Sequence, residues 1–418
     1  MVIYNNPIMP KVRFKSLCAL FFVAALITCI DPYYPHLSGY DSLMVVDGLI
    51  TNENSSYTVR LSRTRQDNNV NTIMISDATV YITDNEANAT YLQNKGTGIY
   101  KTDSLEFIGT LGRSYILHIL TDDGKEYESA PCFMYSVPDI DNIYFAKHEE
   151  LGTNWSEGNT GILISLDSEP GDETQFYRWS FEETWRFKVP SPARYIYINE
   201  KTIHEISDVK EFCWKNRKSD EILIHAVHPG EKNYVEGEPI SFITTKESDR
   251  LTLQYSILVK QYSLSEKEYN FWSDLQLVNE SGGDIFESQS YSVTGNMHNI
   301  NNPSERVLGY FQVSAVKQKR KNISYNDIAG MDLPAYTYPC EVIARNPSDY
   351  PPPFNTTFDE LYTLFCVDQH KHAFVEPIYY PGTFSLYKLV FTEKECANCE
   401  LTGTFTKPDF WDDITDPW

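Results

Sequence analysis

Apolar and polar positions alternate along most of this chain. In Tyr57–Arg63 (YTVRLSR), Tyr57, Val59 and Leu61 fall on one face and Thr58, Arg60 and Ser62 on the other, the period of a half-buried strand. Leu43–Thr51, Ala78–Thr83, Gly98–Thr102, Ser114–Leu120 and Glu126–Ala130 continue the pattern. Turn residues divide them, among them Asp67–Asn71 and Asp122-Asp123-Gly124. Short strands at this spacing predict an immunoglobulin-like β-sandwich over residues 42–136. Val137-Pro138-Asp139 reads as a linker, and residues 137–418 as a larger β-rich domain. Its strands are expected at Gly161–Asp167, Gln175–Lys188, Glu221–His228, Arg250–Tyr262, Ser292–Asn296 and Val307–Val316. Between them the period changes. Ser263 to Glu266 and Ser265 to Glu268 both have capping-box spacing, and Leu264, Tyr269, Trp272, Leu275 and Leu277 give a helical apolar face. This predicts one clear helix over Leu264–Asn279, ended by Ser281-Gly282-Gly283. Phe358–Val367 reads as a second, short helix. The fold class expected is mostly β.

One stretch breaks the β pattern at the start. Lys11, Arg13 and Lys15 precede an apolar run, Leu17–Thr28, which Cys29 closes. The run is shorter than the roughly 20 residues a helix needs to cross a bilayer, but it fits a secretory signal. Its ending, Leu26-Ile27-Thr28-Cys29, resembles a bacterial lipobox, in which the cysteine becomes the lipid-bearing N-terminus; Thr28 stands where lipoboxes carry Gly, Ala or Ser. Residues 1–28 are then the signal peptide, Cys29 the lipidation site, and residues 29–41, rich in Pro and Tyr, a tether. Each buried CH₂ contributes about 0.8 kcal/mol, so two or more acyl chains anchor stably.

Composition narrows the partners. The 418 residues carry a net charge of −23. Without the signal the charge is near −26, from 32 basic and 58 acidic residues. Such a surface argues against nucleic acid as a partner. The 29 tyrosines favour strands and suit binding surfaces.

Of eight cysteines, Cys18 lies in the signal and Cys29 takes the lipid. Cys132, Cys213, Cys340, Cys366, Cys396 and Cys399 remain, an even number that in an exported protein suggests disulfides, with about 15 pairings open. Cys396-x-x-Cys399 alternatively reads as half a zinc site or a redox pair, but no second CxxC or thioredoxin-like context accompanies it. His225 with His228, and His370 with His372, are near enough in sequence to suggest a metal; as strand residues the second pair would share a face. No carboxylate cluster completes either, so neither a metal nor another cofactor is expected. Glu182 and Glu183 read as charged rim residues; as strand neighbours they point apart and cannot flank a sugar together. Tyr177, Trp179, Phe181, Trp185 and Phe187 either fill a core or stack on sugar rings. No P-loop, GxSxG, GxGxxG or HExxH occurs, so no catalytic residue is assigned.

Several segments together carry a resemblance: Cys29 with Asp31-Pro32-Tyr33, MVVDGLIT, YTVRLSRT, FYRWSFEETWRF, Cys213-Trp214, VKQYSLSEKEYNFW, GGDIFES, TGNMHNINNPSERVLGYFQVSAV and the closing Cys396-x-x-Cys399 with KPDFW. In this order they resemble a family of Bacteroidetes outer-membrane lipoproteins, domain of unknown function 4249, often encoded beside SusC-type TonB-dependent receptors. The resemblance implies a lipid-anchored outer-membrane protein, not an enzyme, that assembles with a TonB-dependent receptor barrel in capture or uptake of a glycan or peptide ligand. It brings no catalytic residues with it. The alternatives are a subunit of outer-membrane protein assembly or envelope adhesion, and a glycan-active enzyme.

Overall fold

The computed structural model describes residues 42–64, 73–103, 107–150, 158–171, 173–227, 234–281, 293–350 and 356–413. Cys29, the signal, the tether, the Asp67–Asn71 turn, His228 and the Gly282-Gly283 stop lie outside the described residues. Among the described residues no helix is long and apolar enough to cross a membrane.

The chain is mostly β. The first strands are β1 (Met44–Ile50), β2 (Thr58–Arg63), β3 (Thr79–Asp84), β4 (Ser114–Leu120) and β5 (Glu126–Ser129). Then come β6 (Ile140–Glu150), β7 (Asn159–Ser168), β8 (Phe176–Lys188), β9 (Phe212–Lys218), β10 (Glu238–Thr244) and β11 (Gln254–Leu264), followed by helix α1 (Glu266–Ser281). After the helix run β12 (Met297–Asn299), β13 (Val307–Val313), β14 (Val316–Ser324), β15 (Ile343–Arg345), β16 (His372–Tyr379) and β17 (Leu386–Glu393). The period-2 reading placed β1–β5 within a residue or two. Of the strand expected over Ser292–Asn296, Ser292 lies outside the described residues and residues 293–296 are not in a strand; pairing starts at Met297, where the chain reaches β5.

Two sheets open the fold. In one, β13, β1 and β2 lie side by side and Ile99–Lys101 follows; in the other the order is β12-β5-β4-β3. Their inward rows, Val46, Ile50, Val59, Leu61 and Tyr100 on one side and Val80, Ile82, Leu117, Ile119 and Tyr127 on the other, belong to one buried core. The first two sheets are not built from residues 42–136 alone. β13 adds to β1 in parallel, Val46 opposite Gly309, and β12 adds to β5. Strands from beyond residue 290 thus cover edges that would otherwise leave backbone N–H and C=O groups unpaired.

The central sheet runs β9-β8-β11-β14, beside a three-stranded sheet β6-β7-β10. The inward row of β8 is Tyr177, Trp179, Phe181, Glu183, Trp185 and Phe187, all buried. These five rings therefore fill the core, which closes the sugar-stacking reading of that strip. Their polar atoms are met inside: Trp179 Nε1 donates to Gln261 Oε1 at 2.9 Å and Trp185 Nε1 to Asp249 Oδ1 at 3.0 Å. Glu183, expected on the rim, is 0% exposed. Alternation puts it on the same face as the rings, where its Oε1 accepts from the Tyr255 hydroxyl at 2.8 Å and lies 3.5 Å from Arg250 Nη1. Glu182, one residue away, faces out and pairs with Lys218 at 3.0 Å.

A smaller core near the C-terminus joins Tyr197, Ile343, Leu361, Phe365, Phe374, Leu389 and Phe391, over the sheet β15-β17-β16. The expected short helix is there as Phe358–Tyr362, capped by Thr357, and continues into a wider turn over Thr363–Asp368.

The cysteines pair as Cys213–Cys399 and Cys340–Cys396. The CxxC motif is thus neither a redox pair nor a metal half-site: its two thiols staple the C-terminal turn to two different parts of the chain. Cys132 and Cys366, also expected as disulfide candidates, are free. Cys132 is buried in the large core and its thiol contacts the carbonyls of Ala130 and Phe311. Cys366 packs against the small core, so the two do not face one another.

Candidate binding cleft

Outward-facing residues of β1 and β8, together with α1 and β13, surround an open cleft. Alternation along β1 buries Met44, Val46 and Ile50 and turns Val45, Asp47 and Leu49 the other way. The same alternation on β8 turns out Arg178, Ser180 and Glu182. One hollow, about 360 Å³, is lined by Val45, Asp47, Leu49, Arg178, Phe271, Trp272, Leu275 and Tyr310. A second, about 410 Å³ and more polar, shares Asp47 and Leu49 and adds Glu53, Arg60, Ser180, Lys260 and Tyr262.

Arg178 is the centre of the first hollow. Its guanidinium carbon lies 4.5 Å from the centre of the Tyr262 ring and 4.6 Å from that of Trp272. Two rings at these distances give the guanidinium two cation–π contacts. Its Nε is buried without a hydrogen-bond partner. Burial pulls its pKa below the usual guanidinium value, opposed by the charges of Tyr262, Glu268 and Asp47. Trp272 is itself held in place, its Nε1 donating to Gln312 Oε1 at 3.3 Å.

The helix that carries Trp272 starts at Glu266, later than the expected Leu264, at the second of the two expected capping boxes. Ser265 N donates to Glu268 Oε2 at 2.8 Å and Glu268 N to Ser265 Oγ at 3.3 Å. Glu268 is buried, and its other oxygen accepts from Val313 N at 3.1 Å. One carboxylate thus caps α1 and ties it to β13. On the expected apolar face, Leu277 is exposed and Phe271 takes the buried place, because the helix is set by Glu268 and not by Leu264, which ends β11.

Burial pushes the Glu268 pKa up to about 7, against the hydrogen bonds from Ser265 and Val313 and the charge of Arg178. An acid whose pKa is higher folded than unfolded holds its proton in the native state where the unfolded chain has lost it. Stability from this group is complete below pH 4.5 and is lost as pH rises through 7, on the order of 3 kcal/mol in all. Urea unfolding between pH 5 and 8 should show this fall, and Glu268→Gln should flatten it; an unchanged slope in the variant would remove Glu268 as its source.

The other groups singled out in the sequence lie elsewhere. His225 Nδ1 is 2.9 Å from Glu238 Oε2, an ion-pair contact between β10 and the strand Leu223–Ala226. His370 sits in a turn at φ 53° and His372 opens β16, so the two are not strand neighbours on one face. Among the described residues no group of three or more His, Cys, Asp and Glu is placed to hold a metal. What sequence reading missed is the clamp on Arg178. Alternation gave its outward direction; its two rings come from β11 and α1, and their meeting is a matter of packing.

The class this fold defines is a mostly-β protein of several packed sheets with an open cleft between strands and one helix. The chain belongs to the family described as Domain of unknown function (DUF4249), whose family model matches residues 30–320. No curated protein matches it. Among solved structures it is similar to a chain described as "Biofilm associated protein - BSP domain", at 7% identity and a TM-score of 0.11, over 71% of this chain and 63% of that one. A likeness of that size carries no argument.

Proposed function

We propose that this protein is an outer-membrane lipoprotein, anchored through acyl groups on Cys29, that serves as a non-enzymatic partner of a TonB-dependent receptor barrel in ligand capture or uptake. The observation that carries the reading is the make-up of the cleft. Its walls are rings and charged side chains suited to holding a ligand. Its carboxylates are engaged: Asp47 with Arg60 at 3.1 Å, Glu53 with Lys260 at 3.0 Å and Glu182 with Lys218 at 3.0 Å. A glycan-active enzyme needs two carboxylates free to work on opposite sides of one bond, so binding is favoured over hydrolysis. The basic and apolar stretch before Cys29 supplies the anchor, and the family resemblance supplies the receptor.

Cys29→Ser tests the anchor. The variant should be released in soluble form into the periplasm, while the parent protein stays with the outer-membrane fraction and takes up a fatty-acid label. A variant that remains membrane-bound would place the anchor elsewhere.

A further inference from the structure

We propose that the cleft beneath α1 is a carboxylate-binding site, in which Arg178 receives the carboxylate of a ligand whose apolar body lies against Phe271, Leu275 and Tyr310. The proposal deepens the ligand-capture reading above by naming the chemistry of what is captured, and it rests on that reading only for its biological role.

Three observations carry it. The first is the state of the guanidinium. It offers five N–H donors in a fixed fork, yet among the described residues it has ring contacts and neither a hydrogen-bond acceptor nor an ion-pair partner. Tyr262 and Trp272 pack against it at 4.5 and 4.6 Å, and the N–H groups they leave unpaired are what a carboxylate meets in a bidentate pair.

The second is the engagement of the nearest acids. Glu268 spends both oxygens on the backbone N–H groups of Ser265 and Val313. Asp47 is paired with Arg60. Neither supplies Arg178 with an acceptor, so among the described residues the guanidinium is left open for a carboxylate that arrives with a ligand.

The third is the wall. Phe271, Leu275, Tyr310, Val45 and Leu49 line the hollow around Arg178, and the Phe271 and Tyr310 rings pack tilted against each other, their centres 4.7 Å apart. A fully polar anion would gain nothing from these surfaces, whereas an aromatic or aliphatic acid buries area against them. Two sources share this chemistry: the C-terminal residue of an apolar peptide, and a free aryl or alkyl acid.

Titration calorimetry on the purified mature chain tests the site, with N-acetyl-phenylalanine, 4-phenylbutyrate, N-acetyl-phenylalaninamide and glucuronate as probes. The two apolar acids are expected to bind. The first being tighter indicates a peptide end as the source, the second a free acid. The amide should bind about tenfold or more weakly, since it lacks the charge that the guanidinium fork recognises. Glucuronate should also bind weakly, for want of an apolar body.

Arg178→Lys keeps the charge and loses the fork, and should weaken N-acetyl-phenylalanine about tenfold. Arg178 also packs between two rings, so a second variant, Leu275→Asp, places a negative charge on the wall without touching the clamp and should weaken the acids more than the amide. Equal affinity for acid and amide, equal affinity for glucuronate, or no binding of any acid to the parent protein would each overturn the proposal. These outcomes are separate from receptor docking: failure to bind an acid leaves the docking result standing, and failure to dock leaves the binding result standing.

Discussion

Removing the Cys213–Cys399 bridge by a double alanine substitution is expected to lower the unfolding free energy by about 5 kcal/mol. The bridge closes a loop of 186 residues. In the chain-entropy account such a cross-link restricts the unfolded ensemble by about 5 kcal/mol, slightly more than one closing about 100 residues. Native contacts add to this. Cys213 and Cys399 are both 0% exposed, and the segment after Cys399 pairs with β9, Trp214 and Thr404 exchanging backbone hydrogen bonds at 2.9 and 2.8 Å. Further on, Trp411 Nε1 donates to Gln254 Oε1 at 3.1 Å. With the staple gone, the Cys340–Cys396 bridge still ties down the chain just before residue 399, and beyond it only these hydrogen bonds, the buried Trp411 and the cation–π contacts of Phe405 and Phe410 hold the C-terminal end over the central sheet. Guanidinium unfolding of the double variant against the parent measures the loss, and proteolysis should release the C-terminal end first. A loss below about 1 kcal/mol would mean that the bridge adds little to what the packing already fixes.

Gly309→Ala is expected to be nearly as damaging, by a different route. Gly309 lies in β13 at φ +86°, and a Cβ there would sit 1.9 Å from the Val46 carbonyl oxygen. That atom belongs to the partner strand and cannot turn aside. Gly295 crosses at the same point, its own Cβ position 1.8 Å from the Gly309 carbonyl oxygen. Any side chain at 309 must therefore force β13 away from β1, breaking the parallel pairing and opening the inner row of Met44, Val46 and Ile50. We expect a loss of about 4 kcal/mol or more, in the range that marks a broken core or strained backbone. Gly124→Ala is the matching control. Its φ is +82°, but nothing lies within 4 Å of the added Cβ, so only the left-handed backbone penalty of about 1–2 kcal/mol should appear. Equal effects of the two substitutions would show that backbone conformation and not the close approach dominates at 309.

These two positions mark where sequence reading stops. Alternation and caps are local, and they were legible: Ser114–Leu120 is a strand with the bounds its pattern predicts, and the Ser265 to Glu268 spacing starts the helix. The buried strip of β8 was legible as a row of one face, though its spacing alone left the core and the sugar-stacking readings both open. Pairing partners are not local. Nothing in VLGYFQV says that it runs parallel to a strand about 260 residues earlier, and nothing in a CxxC spacing says that each thiol will leave its neighbour for a distant one. Glu183 shows the same limit from the other side. Its alternation was visible, but a carboxylate on the buried face is accepted only because Tyr255 and Arg250 reach it. The candidate cleft was the least legible part, since its guanidinium, its two rings and its apolar wall come from five separate elements.

The proposed function makes two claims together: that Cys29 carries a lipid, and that the chain is held to a receptor barrel. Native protein, extracted from outer membranes in mild detergent and analysed with its partners by mass spectrometry, tests both most directly. The account predicts a TonB-dependent receptor barrel at near-equal amount with this chain, which carries fatty acid on Cys29. Recovery with a barrel-assembly protein in place of the receptor, or of an unacylated chain with no barrel at all, would contradict it.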